Sequence, residues 1–180
     1  TLITDTPAVT GAVIAGAIDA HRAGQRGFAG LHLEGPHLDP RRHGAHDPAL
    51  IRPMEAEDLA LYIRAAKELP ALIVTLAPEA ASPAQIAALA GAGVIVSLGH
   101  SDCSYETAQQ AIAAGARCVT HLFNAMSPLG HRAPGLAGAA LDSDVAAGLI
   151  ADGVHVADSA LRLALKASDR LFLVSDSMAV

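Results

Sequence analysis

Residues 71–101 read ALIVTLAPEAASPAQIAALAGAGVIVSLGHS. Two short Val/Ile/Leu-rich runs, ALIVTLAPE (71–79) and VIVSLGHS (94–101), flank SPAQIAALAGAG (82–93). The flanking runs have the length and composition of strands. The middle segment opens with Ser82 as N-cap and Pro83 at the first helical position, and Gly91 and Gly93 stand where C-cap glycines belong. Strand–helix–strand with a connection this long makes the two strands parallel neighbours.

The same unit recurs along the chain. GFAGLHLEG (27–35) reads as a strand, EAEDLALYIRAAKEL (55–69) as an amphipathic helix, SYETAQQAIAAGA (104–116) as a helix closed by Gly115, and CVTHLF (118–123) as a strand. After a long loop come the strand AAGLIADGVH (146–155), the helix SALRLALKAS (159–168) and the strand LFLVSDS (171–177). TLIT (1–4) looks like the tail of a further strand, followed by the helix TPAVTGAVIAGAIDAHRAG (6–24). Continuous apolar strands mark a parallel sheet covered on its faces. Such alternation builds either a doubly wound sheet or a (β/α)8 barrel, and the absence of GxGxxG and of a P-loop weakens the first. The expectation is one domain over residues 1–180: an incomplete α/β (β/α)8 TIM-type barrel running from the end of strand two through strand eight. The unpaired borders TLIT and LFLVSD are expected to flank the place of a missing strand in a longer enzyme.

Composition excludes other classes. The 180 residues are 52% hydrophobic but only 3% aromatic, without Trp, so the core is aliphatic; the net charge of −6 argues against a nucleic-acid partner. No apolar run reaches the roughly 18 residues of a membrane span, and Thr1 is followed by no signal-peptide pattern. The two cysteines, Cys103 and Cys118, read as buried thiols of a cytoplasmic protein.

Polar groups stand at the carboxyl ends of five strands: Glu34, His100, His121, His155 and Asp176. Each alone has an ordinary structural reading as a satisfied histidine or a helix cap. Together, on strands whose carboxyl ends converge at one mouth, they make a site. Glu34, His100 and His121 offer one carboxylate and two imidazoles, the hydrolytic zinc set with a position left for water. Asp176, from another strand, would take and return a proton.

These residues lie in the motifs LHLEGPHLDPRRHGAHDPALI, VIVSLGHSDCSYETA, VTHLFNAMSPLGHRAPGLAGAAL, GLIADGVHV and LFLVSDSMA. The chain resembles the N-acetylglucosamine-6-phosphate deacetylases of the amidohydrolase superfamily along its whole length. The HLFNAM-to-RAPGLAG block is the most specific part. The resemblance implies a metal-dependent barrel hydrolase that converts N-acetylglucosamine 6-phosphate to glucosamine 6-phosphate and acetate in amino-sugar breakdown. It makes Glu34, His100 and His121 ligands of a divalent metal, zinc by preference with iron or another ion as alternatives, and leaves open whether one ion or two are held. Asp176 becomes the general acid/base. Ala45, His46, Asn124, Ala125, Asp152 and His155 would hold the sugar and its acetamide. Arg132 would bind the phosphate in the partner's site of a homodimer. His37 stands where many relatives have an aromatic residue; His32, His43 and His131 receive no role. The competing readings are an amidohydrolase for another N-acyl sugar or cyclic amide, and a catalytically idle sugar-phosphate-binding module.

Overall fold

The computed structural model describes residues 1–177, so Met178 and Ala179 of the last motif lie outside the described residues. Among the described residues seven strands and six α-helices alternate, with a one-turn helix, Pro40–Arg42, between the second strand and the second α-helix. They are β1 (Leu2–Ile3), α1 (Pro7–Arg22), β2 (Leu31–Glu34), α2 (Ala56–Ala66), β3 (Leu72–Leu76), α3 (Pro83–Gly91), β4 (Ile95–Leu98), α4 (Tyr105–Ala113), β5 (Cys118–Val119), α5 (Gly135–Leu141), β6 (Ala146–Ile150), α6 (Asp158–Ala167) and β7 (Leu171–Val174). All pairings are parallel, and the spatial order β1-β2-β3-β4-β5-β6-β7 follows the chain order. A doubly wound sheet reverses its order at a switch point; this one never does, which is the connectivity of a barrel. The borders β1 and β7 pair only with β2 and β6 among the described residues, yet both line one cleft, so the sheet is a curled, open half-barrel.

The strands bury two unlike faces. Leu33, Val74 and Val96 lie side by side, as do Leu76, Leu98 and Val119; all belong to the main apolar core. The alternate row, Glu34, Thr75, Ser97 and Cys118, faces the inside of the curl. Apolar runs that look continuous in sequence thus have a polar inner row at their carboxyl ends. His32 sits on that inner face, its Nε2 2.7 Å from Thr75 Oγ1.

Local signals explain the helix starts. Thr6, Ser82 and Ser104 cap α1, α3 and α4, with Pro7 and Pro83 inside the first turns. Gly93 and Gly115 adopt positive φ after α3 and α4, whereas Gly91 is the last residue of α3 itself. The strands are shorter than their apolar runs suggest: β5 ends at Val119, not Phe123, and β6 at Ile150, not His155.

The long loop expected between β5 and β6 contains α5, a seven-residue helix whose residues Gly135–Ala140 are all buried. Its sequence, GLAGAAL, begins with a glycine at φ 60 and has no capping side chain at its own N-terminus. Ser127 supplies the cap from eight residues upstream. Its Oγ accepts the Leu136 N–H at 2.7 Å, its carbonyl accepts from Ala137, and its hydroxyl donates to the Cys103 carbonyl at 2.7 Å. Gly135 admits no side chain, because a Cβ would lie 2.8 Å from both Ser127 oxygens. His37, fully buried, joins the chain after β2 to α2: its ring nitrogens meet the Arg52 carbonyl and the Tyr62 hydroxyl, each at 3.2 Å. Burial pushes its pKa down.

Ser127→Ala should therefore lower the unfolding free energy by about 1–3 kcal/mol, the cost of leaving buried partners unpaired. Urea denaturation measures it; a loss of only a few tenths would mean that packing alone holds α5.

Candidate active site

Glu34 is the last residue of β2, while His100, His121 and Asp176 each stand two residues beyond their strands β4, β5 and β7. All three of the latter have positive φ, at 47, 22 and 52°. A left-handed residue costs roughly 1–2 kcal/mol outside glycine. Here it turns the chain at the strand end. Between β4 and His100, Gly99 has no room for a side chain: a Cβ would come within 2.3 Å of Thr120 Cγ2.

The turns bring three donor atoms together. His100 Nε2 and His121 Nε2 each lie 3.1 Å from Glu34 Oε1 and 2.9 Å from each other. All three side chains are at most 5% exposed. The far ring nitrogens settle the tautomers. His100 Nδ1 faces the Arg42 carbonyl at 2.9 Å and His121 Nδ1 faces the Asn124 carbonyl at 3.1 Å. A carbonyl only accepts, so each Nδ1 carries a proton and each neutral ring presents a bare Nε2. Two imidazole lone pairs and a carboxylate oxygen then point at one place. Only a cation reconciles them, a shared proton or a metal ion, and the donor set fits a divalent metal. Burial alone would raise the Glu34 pKa, but the close pairing with His100 and His121, which favours the charged carboxylate, outweighs it and holds the group well below the usual range. Burial disfavours charge on His121, yet Glu34 more than compensates and raises its pKa.

His46 is a different case. Glu34, His46 and His100 also offer ligand atoms within 4.8 Å of one another, and the His46 and His100 rings meet edge-on at 4.4 Å. The Thr4 backbone N–H, however, points at His46 Nδ1 at 3.2 Å, with Thr4 Oγ1 at 2.7 Å. A backbone N–H only donates, so Nδ1 is bare and the neutral ring carries its proton on Nε2. Burial, reinforced by His100, lowers its pKa to about 4. His46 is thereby a hydrogen-bond donor beside the cluster, not a fourth lone pair.

The cluster opens into a cleft of about 890 Å³ between the sheet borders, where Ala45, Asn124, Ala125, His155 and Asp176 also stand. Its walls include Thr1–Ile3 on one side and Val174–Ser177 on the other. Two expected residues are elsewhere. The Asp152 carboxylate accepts the Val154 and His155 N–H groups at 2.9 Å and meets His155 Nδ1 at 2.7 Å, so it shapes the turn that offers His155 to the cleft. Arg132 is exposed on the loop before α5 and is not part of the lining. His43 and His131 are exposed as well. The residues missed in the sequence are Thr4, which sets the His46 tautomer, and Arg42, whose main-chain oxygen sets that of His100. A main-chain contact leaves no residue-type signal.

No family model matches the chain. Curated relatives do. It is 41% identical over 181 residues to an N-acetylgalactosamine-6-phosphate deacetylase of Shewanella sp. (strain ANA-3), covering 99% of this chain and 45% of that protein. To the N-acetylglucosamine-6-phosphate deacetylases of Bos taurus and Bacillus subtilis it is 42% and 43% identical, covering 84% and 83% of this chain and 39% and 38% of those proteins. The crystal structure of the Pasteurella multocida N-acetylglucosamine-6-phosphate deacetylase superposes with a TM-score of 0.93 at 37% identity, over 98% of this chain and 47% of that one. Over the stretch it spans, the chain belongs to the N-acetylglucosamine-6-phosphate deacetylase family. A variant of the Mycobacterium smegmatis deacetylase, solved in complex with N-acetyl-D-glucosamine-6-phosphate, superposes with a TM-score of 0.90 at 38% identity, over 99% of this chain and 47% of that one. The chain thus spans less than half the length of these deacetylases.

In this member of the deacetylase family, a divalent cation at about 100 times its dissociation constant should raise the unfolding free energy by about 2.7 kcal/mol. His121→Ala should abolish that gain, because alanine offers no donor. An equal gain in the variant, read by thermal denaturation with and without the ion, would place the cation elsewhere.

Proposed function

We propose that this chain is the site-bearing part of a metal-dependent deacetylase that hydrolyses N-acetylglucosamine 6-phosphate to glucosamine 6-phosphate and acetate. The observation that carries the reading is the convergence of Glu34 Oε1, His100 Nε2 and His121 Nε2. These three would hold the ion, zinc being the first choice for one oxygen and two nitrogens, with iron or another divalent ion also suited. When bound, the ion would serve as a Lewis acid that acidifies water and polarises an amide carbonyl.

The chain's own residues supply the rest. Asp176, in the same cleft, takes a proton from the attacking water and returns it to the amide nitrogen as the C–N bond breaks. His46, with its proton on Nε2, donates to the acetamide oxygen and is held neutral for that task. Ala45, Asn124 and Ala125 line the sugar's place, and Asp152 holds His155 at its edge. Arg132, outside the cleft of its own chain, binds the 6-phosphate in the partner's site of a homodimer with a two-fold interface. An eighth strand from the rest of the protein closes the barrel between β1 and β7. Cys103 and Cys118, both buried free thiols, go with a cytoplasmic setting.

A second reading exchanges the sugar: the Shewanella relative, which aligns with 99% of this chain, is named for N-acetylgalactosamine 6-phosphate. Acetate release from the two phosphorylated sugars, compared in the full-length protein, decides between them.

In that protein Asp176→Asn should lower turnover by roughly 10²–10⁴ with substrate binding largely retained; near-normal turnover would remove Asp176 from proton transfer. Arg132→Ala should raise KM for the phosphorylated sugar far more than for its unphosphorylated analogue. Equal loss for both would make Arg132 structural.

A further inference from the structure

An ion-pair network beneath the His100 turn has no part in the reaction proposed above. Arg42 ends the one-turn helix Pro40–Arg42, and the loop that bears it meets the β4 end in two places. Its carbonyl accepts from His100 Nδ1 at 2.9 Å, while its Nε and Nη2 both donate to one oxygen of Asp102, Nε at 2.8 Å. Asp102 is itself fixed. Its N–H donates to Glu79 Oε1 at 2.9 Å, and the neighbouring Ser101 hydroxyl donates to Glu79 Oε2 at 2.7 Å. The Asp39 N–H closes the loop onto the His100 carbonyl at 2.9 Å.

We propose that Asp102 is a positioning residue for His100, acting through Arg42: by gripping the Arg42 side chain it holds the Arg42 carbonyl against His100 Nδ1 and so aims Nε2. The proposal rests on His100 being a metal ligand. The argument is geometric. Arg42 and Asp102 are 36% and 31% exposed, so their ion pair is screened and adds little to stability. Two donors converging on one oxygen nevertheless fix orientation. Without the grip, the carbonyl is held by the one-turn helix alone, which Asp39 caps through the Arg41 N–H and ties to the His100 carbonyl. Removal of partners of this kind typically weakens metal binding by 10–100-fold.

The test uses the full-length protein with Asp102→Ala, Arg42→Ala, the double variant and the conservative Asp102→Asn. Arg42→Ala keeps the carbonyl and removes only the grip. Zinc affinity by chelator competition should fall about tenfold in either single variant and no further in the double, with Asp102→Asn intermediate. Unfolding of the metal-free protein should be nearly unchanged, and nitrogen-15 spectra should show His100 losing its single Nδ1–H tautomer. Wild-type affinity in the single variants, or losses that multiply in the double, overturns the proposal. If Asp102→Ala fails to fold, Arg42→Ala and Asp102→Asn carry the same test. If the wild-type protein binds no zinc, the metal reading fails separately. The metal-free spectra then decide: an unchanged His100 tautomer in Arg42→Ala overturns the positioning role.

Discussion

Two main-chain carbonyls, those of Arg42 and Asn124, determine what the end of the sheet can do. By taking the Nδ1 protons of His100 and His121 they leave both Nε2 atoms bare, 3.1 Å from a buried carboxylate. Such a group of acceptors is unfavourable by itself, since burying a carboxylate without compensation costs several kcal/mol. The surrounding architecture exists to hold it. Strand order puts Glu34, His100 and His121 on one side of the curl, and the helices cover the apolar rows behind them. Thr4 does the opposite for His46, turning an imidazole at van der Waals distance from the cluster into a donor. Identical side chains thus acquire opposite chemistry from what faces their far nitrogen.

Backbone strain is concentrated at the same level. Among the described residues five besides glycine have positive φ, and four of them, His100, His121, Ala125 and Asp176, lie on the cleft. A strand that ran on in register would send alternate side chains to opposite faces. One left-handed residue two positions past the strand end breaks that alternation three times over, at the ends of β4, β5 and β7. The helix-facing rows of Leu, Val and Ala supply the stability against which such strain is tolerated.

How much could be seen in advance follows from the range of each interaction. The alternation of strands and helices, the cap at Ser82, and the strand-end placement of Glu34, His100, His121 and Asp176 are written in local patterns, and all are present in the structure. α5 is hidden because its cap, Ser127, lies outside the helix, and Gly135 and Gly138 break up an Ala/Leu run that is too short to declare itself. The apolar runs outlast the strands where residues such as Leu122 and Phe123 continue past the last ladder pair. The roles of Thr4 and Arg42 were invisible for another reason: they act across 42 and 58 residues, and in Arg42 through an atom every residue has.

The anchoring of α5 has a consequence for the loop in front of it. Ser127 is fixed to Ser101 and Cys103 on one side and to Leu136 on the other, so residues 128–134 leave and re-enter the body at a single post. Within that span the Gly130 N–H meets the Ala133 carbonyl at 3.1 Å, pinching the loop into a small closed finger with Arg132 inside the pinch and Leu129 bare beside it. The backbone that carries Arg132 in a finger of this kind has little freedom left to lose, while the exposed side chain keeps its own rotamers. The ordering entropy that a floppy arm would forfeit at each encounter has been settled once, during folding.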